Sequence, residues 1–151
     1  MTAYISVEDA QDYFDERFNS EAWDAHSVTG DESQTKALKQ ATRIINRLNF
    51  IGSMTDETQE NQFPRGGDTD IPEDIQIACC EIAIALLDGV DPEIEMENLN
   101  LKSQAYGQTK VDYDRTNPAE HILAGVPSAT AWRYLKPYLR DSRQVTVTRV
   151  S

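Results

Sequence analysis

The sequence predicts a mainly α fold: a small helical bundle with a long loop, a minor β segment and an extended C-terminal β tail. Three observations carry this. Apolar residues recur three and four apart in three long segments, the repeat of a helix with one buried face. One of these segments, from Ile75 to Leu87, is apolar on nearly every side, which places it at the centre of the bundle. Strand-like alternation is confined to Tyr106, Val111 and Tyr113 and to a Thr/Val run at the C-terminus.

The first helix opens at SVEDAQDYFDERF. Ser6 is the expected N-cap, Asp9 sits at capping-box spacing, and Val7, Ala10, Phe14 and Phe18 form the expected apolar face with acids opposite. A short piece, SEAWDAH, is expected to pack Trp23 onto the core. The second long helix lies within TGDESQTKALKQATRIINRLNF, with Asp31 as candidate cap. Its apolar stripe is Ala37, Leu38, Ala41, Ile44, Ile45 and Leu48, which leaves Lys36, Lys39, Arg43 and Arg47 mostly on other faces. Asn49 or Gly52 marks its stop.

Residues 52–71 read as a polar loop, long for a compact domain and therefore of functional interest. The third helix follows in DIPEDIQIACCEIAIALLDG, with Asp70 and Glu73 at capping-box spacing and Pro72 in the first turn, where a missing N–H does no harm. Residues 93–127 read as less helical, and TNPAEHILAGVP reads as loop. A last short helix, SATAWRYLKPYL, is capped by Ser128 and interrupted at Pro137. The terminal RQVTVTRVS has strong β propensity but no strand beside it in sequence. It either returns to the 106–113 segment or adds to the sheet edge of another molecule. The expected organisation is one helical domain over residues 1–139 and a docking tail over residues 140–151.

Charge narrows the function. The 151 residues carry a formal charge of −12, unevenly spread: nine acids and one base in residues 1–33, eight acids and no base in residues 71–100, and a net +4 over residues 101–151. Such a body repels phosphate, so tight sequence-independent DNA binding by the body as a whole is not expected. No apolar run reaches the roughly 20 residues of a membrane helix, and the N-terminus lacks the basic start and apolar stretch of a secretory leader. The only cysteines, Cys79 and Cys80, are neighbours on one helix and read as two buried thiols.

Catalytic patterns are not visible. His26 and His121 have no second ligand at metal spacing, and the acids of DTDIPED suit a helix start better than a calcium loop. RGGD lacks phosphate-loop spacing. The expectation is a protein that is not an enzyme and holds no cofactor or metal.

Taken in order, YISVEDAQDYF, ALKQATRIINRLNFIG, QFPRGGDTDIPEDIQIACCEIAIALL, GQTKVDYD and SATAWRYLKPYL resemble the head–tail adaptor (head completion, or connector) proteins of tailed bacteriophages, a group also labelled DnaT-like single-strand DNA-binding proteins. The resemblance runs from about Tyr4 to Leu139. It is most specific at the turn Phe63-Pro64-Arg65-Gly66-Gly67 and at Ile71-Pro72. It implies a structural virion protein without catalysis: a homo-oligomeric ring, commonly dodecameric, at the head–tail interface and assembled in the host bacterial cytoplasm. That ring would dock on the portal protein, meet a tail or head-closure (stopper) protein, and extend the channel through which viral double-stranded DNA passes, with no membrane involved.

Within this picture the tail residues Arg143, Gln144, Val145, Thr146, Val147, Thr148, Arg149 and Val150 are the candidate portal or neighbour clamp. Phe63 is expected to anchor the long loop, Pro64 to fix its exit, and Arg65 to meet an acid on the next subunit or within the fold. The rival expectation is a single-strand DNA-binding protein, for which Trp132, Arg133, Tyr134, Lys136, Tyr138 and Arg140 could form a stacking platform on the last helix. The simpler use of that helix pins Trp132 and Leu135 into the core.

Overall fold

The computed structural model describes residues 1–94, 96–98 and 119–140. Among these the protein is mainly helical: α1 (Val7–Asp15), α2 (Glu21–Asp24), α3 (Ser33–Asn46), α4 (Glu73–Leu87), α5 (Glu120–Leu123) and α6 (Ala129–Leu135), closed by a 3-10 turn at Lys136–Tyr138. Extended pairing among the described residues is limited to two isolated antiparallel bridges, Phe50 with Leu139 and Met54 with Arg65. The 106–113 segment and the Thr/Val tail lie outside the described residues.

α4 is the hub. It packs chiefly against α3 and α6 and also touches α1 and α2. Ile75, Ala78, Cys79, Cys80, Ile82 and Ala83 on it are fully buried, each large side chain worth about 1.5–3 kcal/mol of transfer free energy. Around it close Tyr4, Phe14, Trp23, Leu38, Ile45, Val126 and Leu135, all buried, with Phe14 stacked on Trp23 at 4.5 Å between centroids.

Local signals explain most element ends. Ser6 Oγ accepts from the Asp9 amide at 3.1 Å, and Ser128 Oγ accepts from the Ala131 amide at 3.1 Å. Pro137 stops α6 in a 3-10 turn, as a residue without an N–H must. Asp31 lies one residue outside the α3 cap position, which is Glu32, yet its carboxylate takes the Ser33 amide at 2.8 Å.

Three expectations are corrected. α1 ends at Asp15, so Phe18 lies beyond it and is 92% exposed instead of extending the apolar face. Asp70 does not cap α4: the cap position is Pro72, extended at ψ 143°, and its carbonyl takes the Ile75 and Gln76 amides. The TNPAEHILAGVP stretch is not all loop, because α5 forms one helical turn within it. That turn is too short for periodicity to reveal.

The buried polar groups are satisfied. Thr42 Oγ1 accepts the Tyr4 amide at 3.0 Å and donates to the Leu38 carbonyl at 2.9 Å. Gln34 Nε2 donates to the Trp23 carbonyl at 2.9 Å. Glu81, only 3% exposed, receives Arg17 Nε at 2.7 Å and Arg17 Nη2 at 3.0 Å, and Tyr13 Oη also donates to it. Burial and the Glu81 carboxylate together push the Tyr13 phenol well above its usual range. This ion pair joins the C-terminal end of α1 to the middle of α4.

Candidate nucleic-acid interface

α3 presents two opposite faces. Ala37, Leu38, Ala41 and Ile45 go into the core, while Lys36, Lys39 and Arg43, followed by Arg47 at the cap position, stay exposed. At 100° per residue these four cations fall within an arc of about 80° and span about 16 Å of helix axis. The helix itself contains no acid. Arg43 Nε rests 3.4 Å from Met1 Sδ, and among the described residues none of the four cations is held in an ion pair. The result is a one-sided cationic row on a protein of net charge −12.

α1 is its counterpart. Glu8, Asp9, Asp12, Asp15 and Glu16 are all exposed and fall within an arc of about 120°. Tyr13 and Phe14 turn the other way, toward α4 and the core. The two charged surfaces therefore belong to different helices.

The long loop is organised by arginine. Phe63 is 4% exposed and sits edge-on to Phe50 at 4.7 Å, Tyr138 at 5.8 Å and Tyr4 at 6.1 Å. The peptide joining it to Pro64 is cis. Among the described residues Arg65 meets no carboxylate: it donates to the carbonyls of Ile51 (3.1 Å), Gly52 (2.6 Å), Phe50 (3.4 Å) and Gln62 (3.3 Å), and to Gln62 Oε1 at 2.8 Å. Its guanidinium carbon lies 5.9 Å from the Phe50 ring and 6.0 Å from the Phe63 ring. Arg140 reinforces the same stretch of backbone, with Nε 2.9 Å from the Phe50 carbonyl and Nη2 3.3 Å from that of Gly52. Beside this clamp lies an open hollow of about 360 Å³, lined largely by apolar atoms of Ile51, Phe63, Pro72, Pro137 and Tyr138.

The last helix offers no free stacking platform. Trp132 is half-buried against the core and gives its indole N–H to Glu120 at 3.2 Å. Lys136 pairs with Glu120 at 3.1 Å, Tyr138 donates to Asp74 at 3.2 Å, and Arg140 is spent on carbonyls. Arg133 is exposed. Residues Arg143, Gln144, Val145, Thr146, Val147, Thr148, Arg149 and Val150 lie outside the described residues.

Other chemistry is sparse. Cys79 and Cys80 are free and buried, and burial raises both thiols, Cys79 to about 11. His26 Nδ1 lies 2.9 Å from Asp31, and His121 Nδ1 lies 3.0 Å from the Val126 carbonyl. No three His, Cys, Asp or Glu side chains among the described residues gather to hold a metal ion.

The sequence leaves Lys36, Lys39, Arg43 and Arg47 mostly on faces other than the apolar stripe without grouping them, and the structure aligns them in one row. Its signal is the spacing 36, 39, 43, 47, the same repeat used to find apolar faces, here carried by cations.

In comparison with known proteins, the profile of a family described as "Putative DnaT-like ssDNA binding protein" matches residues 1–150. No curated protein and no solved structure matches the chain.

Proposed function

The chain belongs to the family of DnaT-like ssDNA binding proteins, and from that premise we propose that it binds single-stranded DNA along the α3 row. The observation carrying this reading is the one-sided line of Lys36, Lys39, Arg43 and Arg47 on a helix without acids. Phosphate contact needs cations not tied up in ion pairs, which then displace the counterions condensed on the DNA. Binding is modest, because the acidic surface elsewhere repels the strand and no aromatic platform stands free on the last helix. The test is a fluorescence-anisotropy titration of a labelled pyrimidine oligonucleotide at several salt concentrations. Four phosphate contacts give a slope of log affinity against log salt of about −3, and Lys39→Ala lowers its magnitude by about 0.7. No binding at low salt, or a slope that ignores Lys39 and Arg43, overturns the reading.

A second reading is favoured by a different observation, the exposed acidic face of α1. In it the protein is the head–tail adaptor of a tailed bacteriophage, a virion ring in which acidic faces line the channel and reduce adhesion of passing double-stranded DNA. The sequence resemblance supports it. Residues 140–151 are then a docking tail for the portal protein or a neighbouring subunit, with a tail-side protein on the opposite rim. Negative-stain microscopy of the purified protein, with and without a portal protein, decides: rings that dock on the portal support this reading, and a species that never forms rings excludes it.

A further inference from the structure

We propose that the slot between α3 and the N-terminal stretch takes a base of single-stranded DNA, with preference for a base that carries an exocyclic amino group. This rests on the DNA reading above and deepens it: the α3 row holds the phosphates, and the slot reads what the phosphates carry.

The slot has a volume of about 420 Å³, within the usual range of small-molecule sites. Thr35, Leu38 and Lys39 of α3 form one wall and residues 1–7 form the other, with Gln76 of α4 and Asp9 of α1 between them. Slot and row share an edge. Lys39 belongs to both, and Met1, which also lines the slot, has its Sδ 3.4 Å from Arg43 Nε. A strand whose phosphate meets Lys39 therefore has a base beside the opening.

The N-terminal wall is held in place before any ligand arrives. The Thr2 amide donates to Glu60 Oε2 at 3.1 Å, and Asn61 Nδ2 donates to the Thr2 carbonyl at 2.8 Å. The Tyr4 amide donates to Thr42 Oγ1 at 3.0 Å, and Tyr4 Oη donates to Asn46 Oδ1. A wall already ordered costs little to order on binding. Ile5 and Val7 on it are half-buried and leave apolar area for the face of a ring. Tyr4 is turned into the core, so the ring is packed by aliphatic groups and not stacked on an aromatic one.

Two acceptors set which base is preferred. Gln76 Nε2 donates to the Tyr4 carbonyl at 3.5 Å, which leaves Oε1 as the acceptor of that amide. The Asp9 carboxylate is exposed and, when ionised, only accepts. Among the described residues neither oxygen group receives a hydrogen bond. An amino group brings two N–H donors to such a pair, whereas thymine offers a carbonyl where cytosine has its amino group. An apolar side chain in the slot would leave both acceptors without a donor.

The experiment is fluorescence anisotropy of the full chain with three labelled strands of equal length: oligo-dC, oligo-dT and an abasic sugar–phosphate strand. Cytosine and thymine have the same ring size and the strands carry the same charge, so the comparison isolates the amino group. Oligo-dC is expected to bind about 10-fold more tightly than oligo-dT, and the abasic strand most weakly. All three are expected to share one salt slope, because their phosphates are alike. Gln76→Leu and Asp9→Ala each remove one acceptor, and each is expected to reduce the dC-to-dT ratio to about 3 with the slope unchanged; circular dichroism confirms folding. Failure to bind any strand would overturn both this proposal and the DNA reading. Equal binding of all three strands, or a dC preference that survives both substitutions, would overturn the slot alone and leave the α3 row as a contact to phosphates only.

Discussion

Arg17 and Arg65 use the same guanidinium group in opposite ways, one against a helix and one within a loop. Arg17, itself partly exposed, faces a carboxylate, and its charge cancels that of buried Glu81. Among the described residues Arg65 faces carbonyl oxygens and two aromatic rings, so its charge is spread over dipoles. The first arrangement joins two helices. The second gathers a loop: the carbonyls of Phe50, Ile51, Gly52 and Gln62 would otherwise point apart, and five donors in one plane can satisfy them together. A fold needing charge compensation and a fold needing carbonyl compensation can choose the same side chain for different physical reasons.

Substitutions separate the two roles. The largest effect is expected for Arg17→Ala, which strands the Glu81 carboxylate: a loss of about 3 kcal/mol in stability by urea denaturation. A loss below about 1 kcal/mol would show that solvent already screens the pair. Arg65→Ala is expected to cost less, about 2 kcal/mol, because several of the freed carbonyls lie near water. Its distinguishing readout is hydrogen exchange. The Thr55 and Gly66 amides, bonded to Pro64 and Ser53 at 3.1 and 2.9 Å, should exchange faster while amides of α4 stay protected. Equal acceleration in α4 would place Arg65 in the global core instead of the loop.

The smallest effect concerns Asp31. Hydrogen bonds from Ser33, with His26 beside it, hold its carboxyl down at about 2. A lowered folded-state pKa stabilises above the ordinary carboxylate value, about 4, and the contribution fades as pH falls from there toward 2. Asp31→Asn should therefore melt slightly below wild type at pH 5, with the gap closing as the pH approaches 2. A gap independent of pH would assign the effect to packing. The DNA slope extends the comparison outward, since it reads the exposed cations of α3.

Much of the framework was legible in residue order. Ser6 and Ser128 mark helix starts because short hydroxyl side chains reach back to amides two or three residues on. α4 declares its central position by being apolar all round. Trp23 and Leu135 follow from periodicity and size. Phe63 could be read as an anchor from its place in an aromatic-Pro-Arg turn, but the rings that receive it come from residues 4, 50 and 138. The partners of Arg65 were not legible, because a guanidinium among carbonyls leaves no complementary charge in the sequence. Phe18 misled because it sits in register with Phe14 while the helix beneath it has already ended.

Sequence alone determined the helical class, the central segment, the serine caps and the charge imbalance, since each depends on residues within a turn or two of one another. Tertiary structure alone decided that Glu81 would be buried against Arg17, that the loop would close on arginine, and that Lys39 would share a slot with Gln76. Those outcomes join residues up to 90 positions apart, and distance along the chain carries no information about which dipoles and charges meet once the core has closed.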